Sequence, residues 1–211
     1  RLLPGSGIDP QHWTAPSQDR GQPRQFLMLA RIVADKGVRE YVAAARQVKA
    51  QYPDARFALM GALAPPNHTA ISPDEVDGWV REGVIEHLDP VSDVRPYIAA
   101  ADVIVLPSYR EGLSRVLLEA SAMARPIVTT DVPGCRDIVR DGENGFLCGA
   151  QDATSLAQAL GRAASLDDEA WRAMGRNGRT RVVAEFSQEK VNALYLAALA
   201  DAGVPSPKSL P

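Results

Sequence analysis

The feature that most constrains the fold is a regular alternation between short apolar runs and longer segments whose apolar residues recur at helical spacing. The apolar runs are too short for helices and are bounded by polar, Gly or Pro residues, which is typical of strands buried on both faces. Strands that alternate with helices favour a parallel sheet covered on both sides. We therefore predict an α/β fold, a Rossmann-like doubly wound parallel sheet of about six strands with a helical C-terminal segment. The predicted strands cover residues 26–30, 56–60, 84–88, 103–106, 127–130 and 145–148, and the predicted helices cover 37–52, 73–81, 94–101, 114–124, 152–164, 168–185 and 188–202.

The two ends of the chain differ in composition from its centre. Residues 1–24 are rich in Pro, Gly, Ser and Gln, so we expect an interdomain linker rather than core. Residues 25–186 are predicted to form the Rossmann-like domain, and the Pro/Ser-rich residues 204–211 a flexible tail. Residues 187–203 form a predicted C-terminal helix, which is expected to pack toward an N-terminal domain that this chain lacks. Its apolar face carries Val191, Leu194, Tyr195 and Leu199.

Composition and charge exclude several classes of protein. Nothing in the chain approaches the run of roughly 18 to 20 apolar residues that a membrane-spanning helix needs. The net charge of -3 leaves no basic field for a nucleic-acid backbone, so we expect no nucleic-acid partner. Cys135 and Cys148 stand in no metal-binding or redox motif and are interpreted as ordinary thiols of a reducing, cytoplasmic compartment.

The loop after the first predicted strand carries two cations and a glycine, Arg31, Lys36 and Gly37. Ligands of open α/β sheets bind beyond the carboxyl ends of the strands, beside the N-termini of the helices that follow. A diphosphate is held well by a guanidinium, an ammonium and free backbone N–H groups. The alternative is that the two cations are solvated surface charges.

The loop after strand 103–106 is more specific, because two carboxylates flank a helix start. Glu111 and Gly112 precede the helix, Ser114 is a candidate N-cap, and Glu119 lies among apolar residues inside the helix. A carboxylate there needs hydrogen-bond donors, and the two hydroxyl groups of a ribose would supply them. A salt bridge or a solvent-facing position remains the alternative for Glu119.

Two further segments are predicted to point into the same crevice. Pro133-Gly134 forms a tight turn after strand 127–130, with a role that is conformational on its own. The apolar strand 84–88 could receive a flat nucleobase. His87 within it is not assigned a catalytic role, because a lone histidine is more often structural.

The two glutamates also carry a family resemblance. Glu111 and Glu119, with seven residues between them, resemble the Glu-x7-Glu signature of family 4 retaining glycosyltransferases, enzymes with the two-domain GT-B fold. Ala124 and Asp137 depart mildly from the pattern, in which glycine and glutamate are more usual. Further matching motifs occur in order at Leu29-Ala-Arg31, Lys36-Gly37, 93–97, Pro107-Ser108, 125–129 and 141–147.

The resemblance implies a role for each matching residue. Arg31 and Lys36 would bind the donor diphosphate and neutralise the leaving group without a metal or other cofactor. Glu111 would face the donor sugar near the reacting carbon, and Glu119 would hold the ribose. These implications give Glu111, Arg31 and Lys36 as candidate catalytic residues. The remaining candidates for donor binding are the backbone of Gly112, Leu113 and Ser114, with Val84, Ile85, His87 and Leu88 around the base.

Together these features predict the donor-binding half of a retaining glycosyltransferase that uses a nucleoside diphosphate sugar, with UDP favoured. The acceptor, a glycan or a lipid-linked sugar, is expected to bind an N-terminal domain that this chain lacks, so the chain alone should transfer little or nothing. The whole protein is expected to be cytoplasmic, with peripheral association at the inner membrane face as an open option. Two alternatives stay open, a nucleotide-binding module without transfer activity and a sugar-nucleotide epimerase of the same architecture.

Overall fold

A computed structural model of the chain describes residues 5, 7–16, 24–65 and 68–202. The strands are β1 (Gln25–Leu29), β2 (Arg56–Met60), β3 (Glu86–Leu88), β4 (Val103–Leu106), β5 (Ile127–Thr130) and β6 (Gly145–Cys148). The helices are α1 (Val38–Gln51), α2 (Pro73–Arg81), α3 (Arg95–Ala100), α4 (Arg115–Ala122), α5 (Ala153–Ser165), α6 (Asp168–Phe186) and α7 (Gln188–Asp201).

Within the described residues, six strands form one sheet in the order β3-β2-β1-β4-β5-β6, and every neighbouring pair is parallel. The chain moves outward from β1 to β2 and β3, then returns to the other side of β1 for β4. The order therefore reverses between β1 and β4, where the loops at the carboxyl ends of both strands separate and leave a crevice. The predicted doubly wound parallel sheet is confirmed.

Each face of the sheet carries its own apolar core. One face of β1 packs Phe26 and Met28 beneath α1, α2 and α5. The other face packs Leu27 and Leu29 with α3, α4 and α6. The alternation of side chains along a strand explains why neighbouring residues of β1 enter different cores. Because strands of this sheet are buried on both faces, their sequences contain continuous apolar runs.

The helix starts differ in how their free N–H groups are satisfied. Ser72, Asp152, Asp167 and Ser187 each accept a hydrogen bond from a backbone N–H in the first turn of the helix that follows, which caps α2, α5, α6 and α7. The starts of α1 and α4 have no side-chain cap. These two helices follow β1 and β4 and so begin on either side of the crevice.

The N-terminal segment, residues 7–16, corrects the expectation that residues 1–24 lie outside the core. Ile8 and Trp13 are buried in the core beneath α6. The backbone of Ile8 accepts from the N–H of Gln188 at 2.9 Å and donates to Phe186 at 2.9 Å, which ties the segment to the junction of α6 and α7. The low apolar content of the segment gave no indication that these two side chains are buried. Residues 1–4, 6 and 17–23 of the predicted linker lie outside the described residues.

The predicted C-terminal helix is present as α7, and its apolar face is only partly covered. Val191 is buried, whereas Leu194, Tyr195 and Leu199 are exposed within the described part of the chain. The predicted tail, residues 204–211, lies outside the described residues.

Candidate donor-binding site

Three loops meet at the crevice through their backbones. Gly37 has a φ of 75°, and a Cβ there would overlap the carbonyl group of Pro107 in the β4–α4 loop. Gly134 has a φ of 81°, and a Cβ there would overlap the carbonyl group of Gly112. Only glycine combines the left-handed conformation with this close approach. The β1–α1 loop and the β5–β6 loop are therefore each held close to the β4–α4 loop.

Side chains of β5 pin the same loops. Thr129 Oγ1 donates to the carbonyl oxygen of Leu106 at 2.7 Å, and Thr130 Oγ1 donates to that of Ser108 at 2.5 Å. Asp137 accepts the N–H of Gly134 at 3.0 Å, so the shorter carboxylate at this position still holds the Pro133-Gly134 turn in place. That turn has the conformational role predicted for it.

An ion pair joins two of the predicted site residues across the crevice. Lys36 Nζ lies 2.6 Å from Glu111 Oε1, and the two side chains are 23% and 13% exposed. Lys36 belongs to the β1–α1 loop and Glu111 to the β4–α4 loop. The pair thus brings a residue predicted to bind phosphate, Lys36, into contact with a residue predicted to bind sugar, Glu111, at the switch point.

Tyr109 is hydrogen-bonded to two residues that flank Lys36 in the chain. Its N–H donates to the carbonyl oxygen of Asp35 at 2.9 Å, and its hydroxyl donates to Glu40 Oε1 at 2.8 Å. Burial and the bond to Glu40 raise the pKa of Tyr109 to about 12. Sequence reasoning missed this residue, because nothing in its local pattern predicts a contact with α1.

Glu119 lines a cavity of about 310 Å³ next to the crevice. Its side chain is buried, and burial raises the pKa of its carboxyl group, while Arg115 at 3.4 Å acts in the opposite direction. Arg31 lines the same cavity and is exposed. The other walls are apolar or backbone and come from the ends of β1 and β2, the segment after β3, and α4: Leu29, Ala30, Met60, Gly61, Ala62, Pro90, Val91, Val94 and Val116.

The residues predicted to surround a base are only partly near this cavity. Val84 and Ile85 are buried and precede β3, so they lie at the amino end of that strand and do not line this cavity. His87 and Leu88 lie level with the last residues of β2, with His87 Nε2 3.2 Å from the carbonyl oxygen of Gly61. The cavity wall comes instead from the loop that follows, at Pro90 to Val94.

The start of α4 is open towards the crevice. Ser114 occupies the N-cap position but makes no capping bond, which differs from the predicted role of its hydroxyl. A Cβ added at Gly112 would meet no atom within 4 Å, and Leu113 is half-buried against the core beneath α4. The first turn of α4 therefore lacks a capping side chain on the side of the crevice.

Two other depressions are larger but lie elsewhere. One of about 380 Å³ reaches the amino ends of β1 and β2 beside α3, and one of about 420 Å³ lies between α1 and α5. Neither contains Arg31, Lys36, Glu111 or Glu119. Position at the switch point and the chemistry of the lining residues favour the smaller cavity.

The family described as Glycosyl transferases group 1 matches residues 23–165, which include all the loops of the crevice. The chain belongs to the group 1 glycosyl transferases. This agrees with the predicted GT-B resemblance, whereas the assignment to family 4 and the retaining stereochemistry stay predictions.

Curated relatives of this group 1 domain are named for polysaccharide synthesis. It is 29% identical over 201 residues to the putative colanic acid biosynthesis glycosyltransferase WcaL of Salmonella typhimurium, which covers 88% of this chain and 47% of WcaL. It is 31% identical over 164 residues to the capsular polysaccharide biosynthesis glycosyltransferase CapM of Staphylococcus aureus, covering 76% of this chain and 42% of CapM. The chain spans about half the length, or less, of these relatives.

Solved structures place the same fold in glycosyltransferases. Sucrose-phosphate synthase of Thermosynechococcus elongatus aligns with a TM-score of 0.77 and 29% identity over 95% of this chain and 53% of its own. Anabaena HepE in complex with UDP-glucose aligns with a TM-score of 0.79 and 20% identity, over 92% of this chain and 56% of its own. The C-terminal domain of the group 1 protein LpcC of Francisella tularensis aligns with a TM-score of 0.74 and 22% identity, over 86% of this chain and 99% of its own.

None of the helices in the described ranges is both long and apolar enough to cross a membrane. Both cysteines are free and buried, as ordinary thiols would be.

Proposed function

We propose that this domain binds the donor of a retaining glycosyl transfer, a nucleoside diphosphate sugar with UDP as its nucleotide. The observation that carries the proposal is the cavity lined by Arg31 and Glu119, which opens beside the Lys36–Glu111 pair at the switch point. Membership of the group 1 family supports it. The choice of UDP draws on Anabaena HepE, which was solved with UDP and with UDP-glucose.

The nucleoside half of the donor fits the cavity next to Glu119. A flat base would lie between the end of β2 and the segment from Pro90 to Val94, where the walls are apolar. The ribose hydroxyls would then donate to Glu119, a buried carboxylate whose hydrogen bond from Arg115 is long at 3.4 Å. Buried carboxylates gain most from donors of this kind, because an unsatisfied acceptor is costly.

The diphosphate would lie along the β1–α1 loop. Arg31 lines the cavity and Lys36 lies in the crevice, so the two cations follow the ligand from its ribose towards its sugar. Negative charge develops on the nucleoside diphosphate as the glycosidic bond breaks, and fixed cations stabilise that charge. We propose that these side chains serve without a metal ion.

Glu111 would contact the sugar once the donor is bound. In the free domain, Lys36 and Glu111 neutralise each other at 2.6 Å. A diphosphate offers Lys36 a second anionic partner, which leaves oxygen atoms of Glu111 free for sugar hydroxyls or for the charge that develops near the reacting carbon. The pair therefore holds both groups in position before the donor arrives.

Transfer requires an acceptor as well as a donor. Because the chain spans about half the length of its relatives, we propose that a further domain of the whole protein binds the acceptor, a glycan or a lipid-linked sugar. The names of WcaL and CapM support a polysaccharide product. On its own, this domain would bind donor without turnover.

Calorimetric titration with UDP, GDP and ADP tests the donor site. We expect UDP to bind, and Lys36→Ala to weaken UDP binding about 10- to 100-fold, the loss of one charge-assisted hydrogen bond. Arg46→Ala removes a surface cation on α1 and serves as the matched control, with unchanged affinity expected. The same affinity should persist with EDTA present. Absence of binding by all three nucleotides at millimolar concentration would overturn the proposal.

A further inference from the structure

Two hydrogen bonds from one residue fasten the β4–α4 loop to the β1–α1 segment. The N–H of Tyr109 donates to Asp35, and its hydroxyl donates to Glu40, 2.9 Å and 2.8 Å away. Asp35 is the residue before Lys36, and Tyr109 lies two positions before Glu111. Both bonds come from Tyr109 and end on residues that flank Lys36 in the chain, so they link the loop that carries Glu111 to the segment that carries Lys36.

Glu40 depends on this contact. Its Oε1 accepts from Tyr109, while its Oε2 is buried with no hydrogen-bond partner among the described residues. Arg39, the neighbouring cation, is engaged by Glu75 at 2.7 Å and 2.9 Å instead. Loss of the Tyr109 hydroxyl would leave the buried carboxylate of Glu40 without this donor, which is unfavourable. We therefore expect the loop or the start of α1 to move in response.

The first turn of α1 has no capping side chain. Gly37 occupies its N-cap position and offers no side chain to the first-turn N–H groups. Glu40, in the first turn, interacts favourably with these N–H groups through the helix dipole. The Tyr109–Glu40 bond consequently connects the loop that carries Glu111 to a rigid helix rather than to another loop.

We infer that Tyr109 and Glu40 form a positioning pair, which fixes the distance between the Lys36 ammonium and the Glu111 carboxylate for recognition of the donor's diphosphate and sugar. This inference rests on the proposed function. It concerns the diphosphate end of the ligand only, because neither residue lines the cavity beside Glu119. The aromatic ring is retained in Tyr109→Phe while the hydroxyl is lost, so this variant removes the bond with little change in packing.

The test compares the binding of UDP with that of uridine, which lacks the diphosphate. We expect Tyr109→Phe to weaken UDP binding about tenfold, the equivalent of one hydrogen bond, and to leave uridine binding unchanged. Thermal unfolding is recorded for each variant, and titrations are made well below the unfolding temperature. A residue with a purely structural role would lower that temperature without separating the two ligands.

Variants of the partner sharpen the result. Glu40→Ala should match Tyr109→Phe, and the double variant should lose no more than either single one. Glu40→Gln keeps an oxygen acceptor for the phenol and should retain most of the UDP affinity. Arg46→Ala, on the outer face of the same helix, should behave as wild type.

Each other outcome counts against the inference. Equal weakening of UDP and uridine would show a general effect on the fold, and unchanged UDP binding would show that the bond is not used; either result overturns the positioning role. If the wild-type domain bound UDP no more tightly than uridine, the proposed diphosphate site itself would fall. That result is distinct, because it appears before any substitution is made.

Discussion

Two ion pairs of equal length lie in very different surroundings. Lys36 and Glu111 meet at 2.6 Å in the crevice, between two loops and largely out of solvent. Arg46 and Glu82 meet at 2.6 Å on the outer surface between α1 and α2, with 43% and 45% of the side chains exposed. The outer pair is bidentate and is repeated seven residues earlier in each segment by Arg39 and Glu75.

The two regions also differ in how their helices begin. On the outer surface, α2 begins with Ser72, whose hydroxyl accepts the N–H of Glu75. At the crevice, α4 begins with Ser114, which makes no such bond. The helix start on the outer surface thus has a side-chain cap, whereas the one at the crevice has none. This difference is what a ligand site requires, because a fully satisfied group has nothing to gain from a ligand.

The largest expected difference between the two regions concerns glycine. Gly134→Ala places a Cβ on the carbonyl group of Gly112 at a φ of 81°, so we expect a loss of about 3 kcal/mol or more in the free energy of unfolding. Gly78→Ala, in α2, meets no atom within 4 Å and should gain about 0.5 to 1 kcal/mol. Urea denaturation of both variants gives the comparison. Similar stabilities would show that the crevice backbone is not tightly packed.

A smaller difference is expected for the two serines. Ser72→Ala removes a helix cap and should cost about 1 kcal/mol of unfolding free energy. Ser114→Ala removes no capping bond, so its cost should be clearly less. The measurement is again equilibrium denaturation, with Ser187→Ala, which removes the cap of α7, as a second capped example. A larger loss at Ser114 than at Ser72 would contradict the distinction between open and capped starts.

The smallest effect is a difference in the sign of pH dependence. Burial raises the folded-state pKa of Glu119 above its value in the unfolded chain, so its ionisation opposes folding as pH rises through those two values. The bond from Arg46 lowers the pKa of Glu82, so its ionisation favours folding above the unfolded pKa and that contribution is lost as pH falls through the folded one. Relative to wild type, Glu119→Gln should therefore become more stable between pH 4 and pH 7, and Glu82→Gln less stable. Thermal unfolding across that range measures both, and slopes of the same sign would contradict the expectation.

The sequence predicted the parts of the fold that depend on continuous burial. Strands β2, β4, β5 and β6 have the bounds that were predicted, because each is a short and largely buried run. Val84 and Ile85 were misassigned for the same reason, since an apolar pair indicates burial whether or not it belongs to a strand. Ile8 was missed in a segment whose average composition is that of a linker.

The site was predicted as far as it follows from strand ends and motifs. Such reasoning brought Lys36 and Glu111 to one crevice and placed Glu119 beside a cavity, although the roles of these residues remain proposals. It missed the cavity wall at Val91, because a loop residue has no periodicity to reveal it. It also missed the bond from Tyr109 to Glu40, which lie 69 positions apart and meet only after the sheet has formed.

The close approach of the three loops through glycine has a consequence for variation. A Cβ at Gly37 or Gly134 would overlap a backbone carbonyl group, so these two contacts do not depend on the side chains of the cavity wall. Val91 and Val94 line the cavity and take no part in these contacts, so we expect their exchange to leave the backbone of the crevice unchanged. For protein engineering, the two glycines are positions to keep, and the residues of the cavity wall are positions to vary.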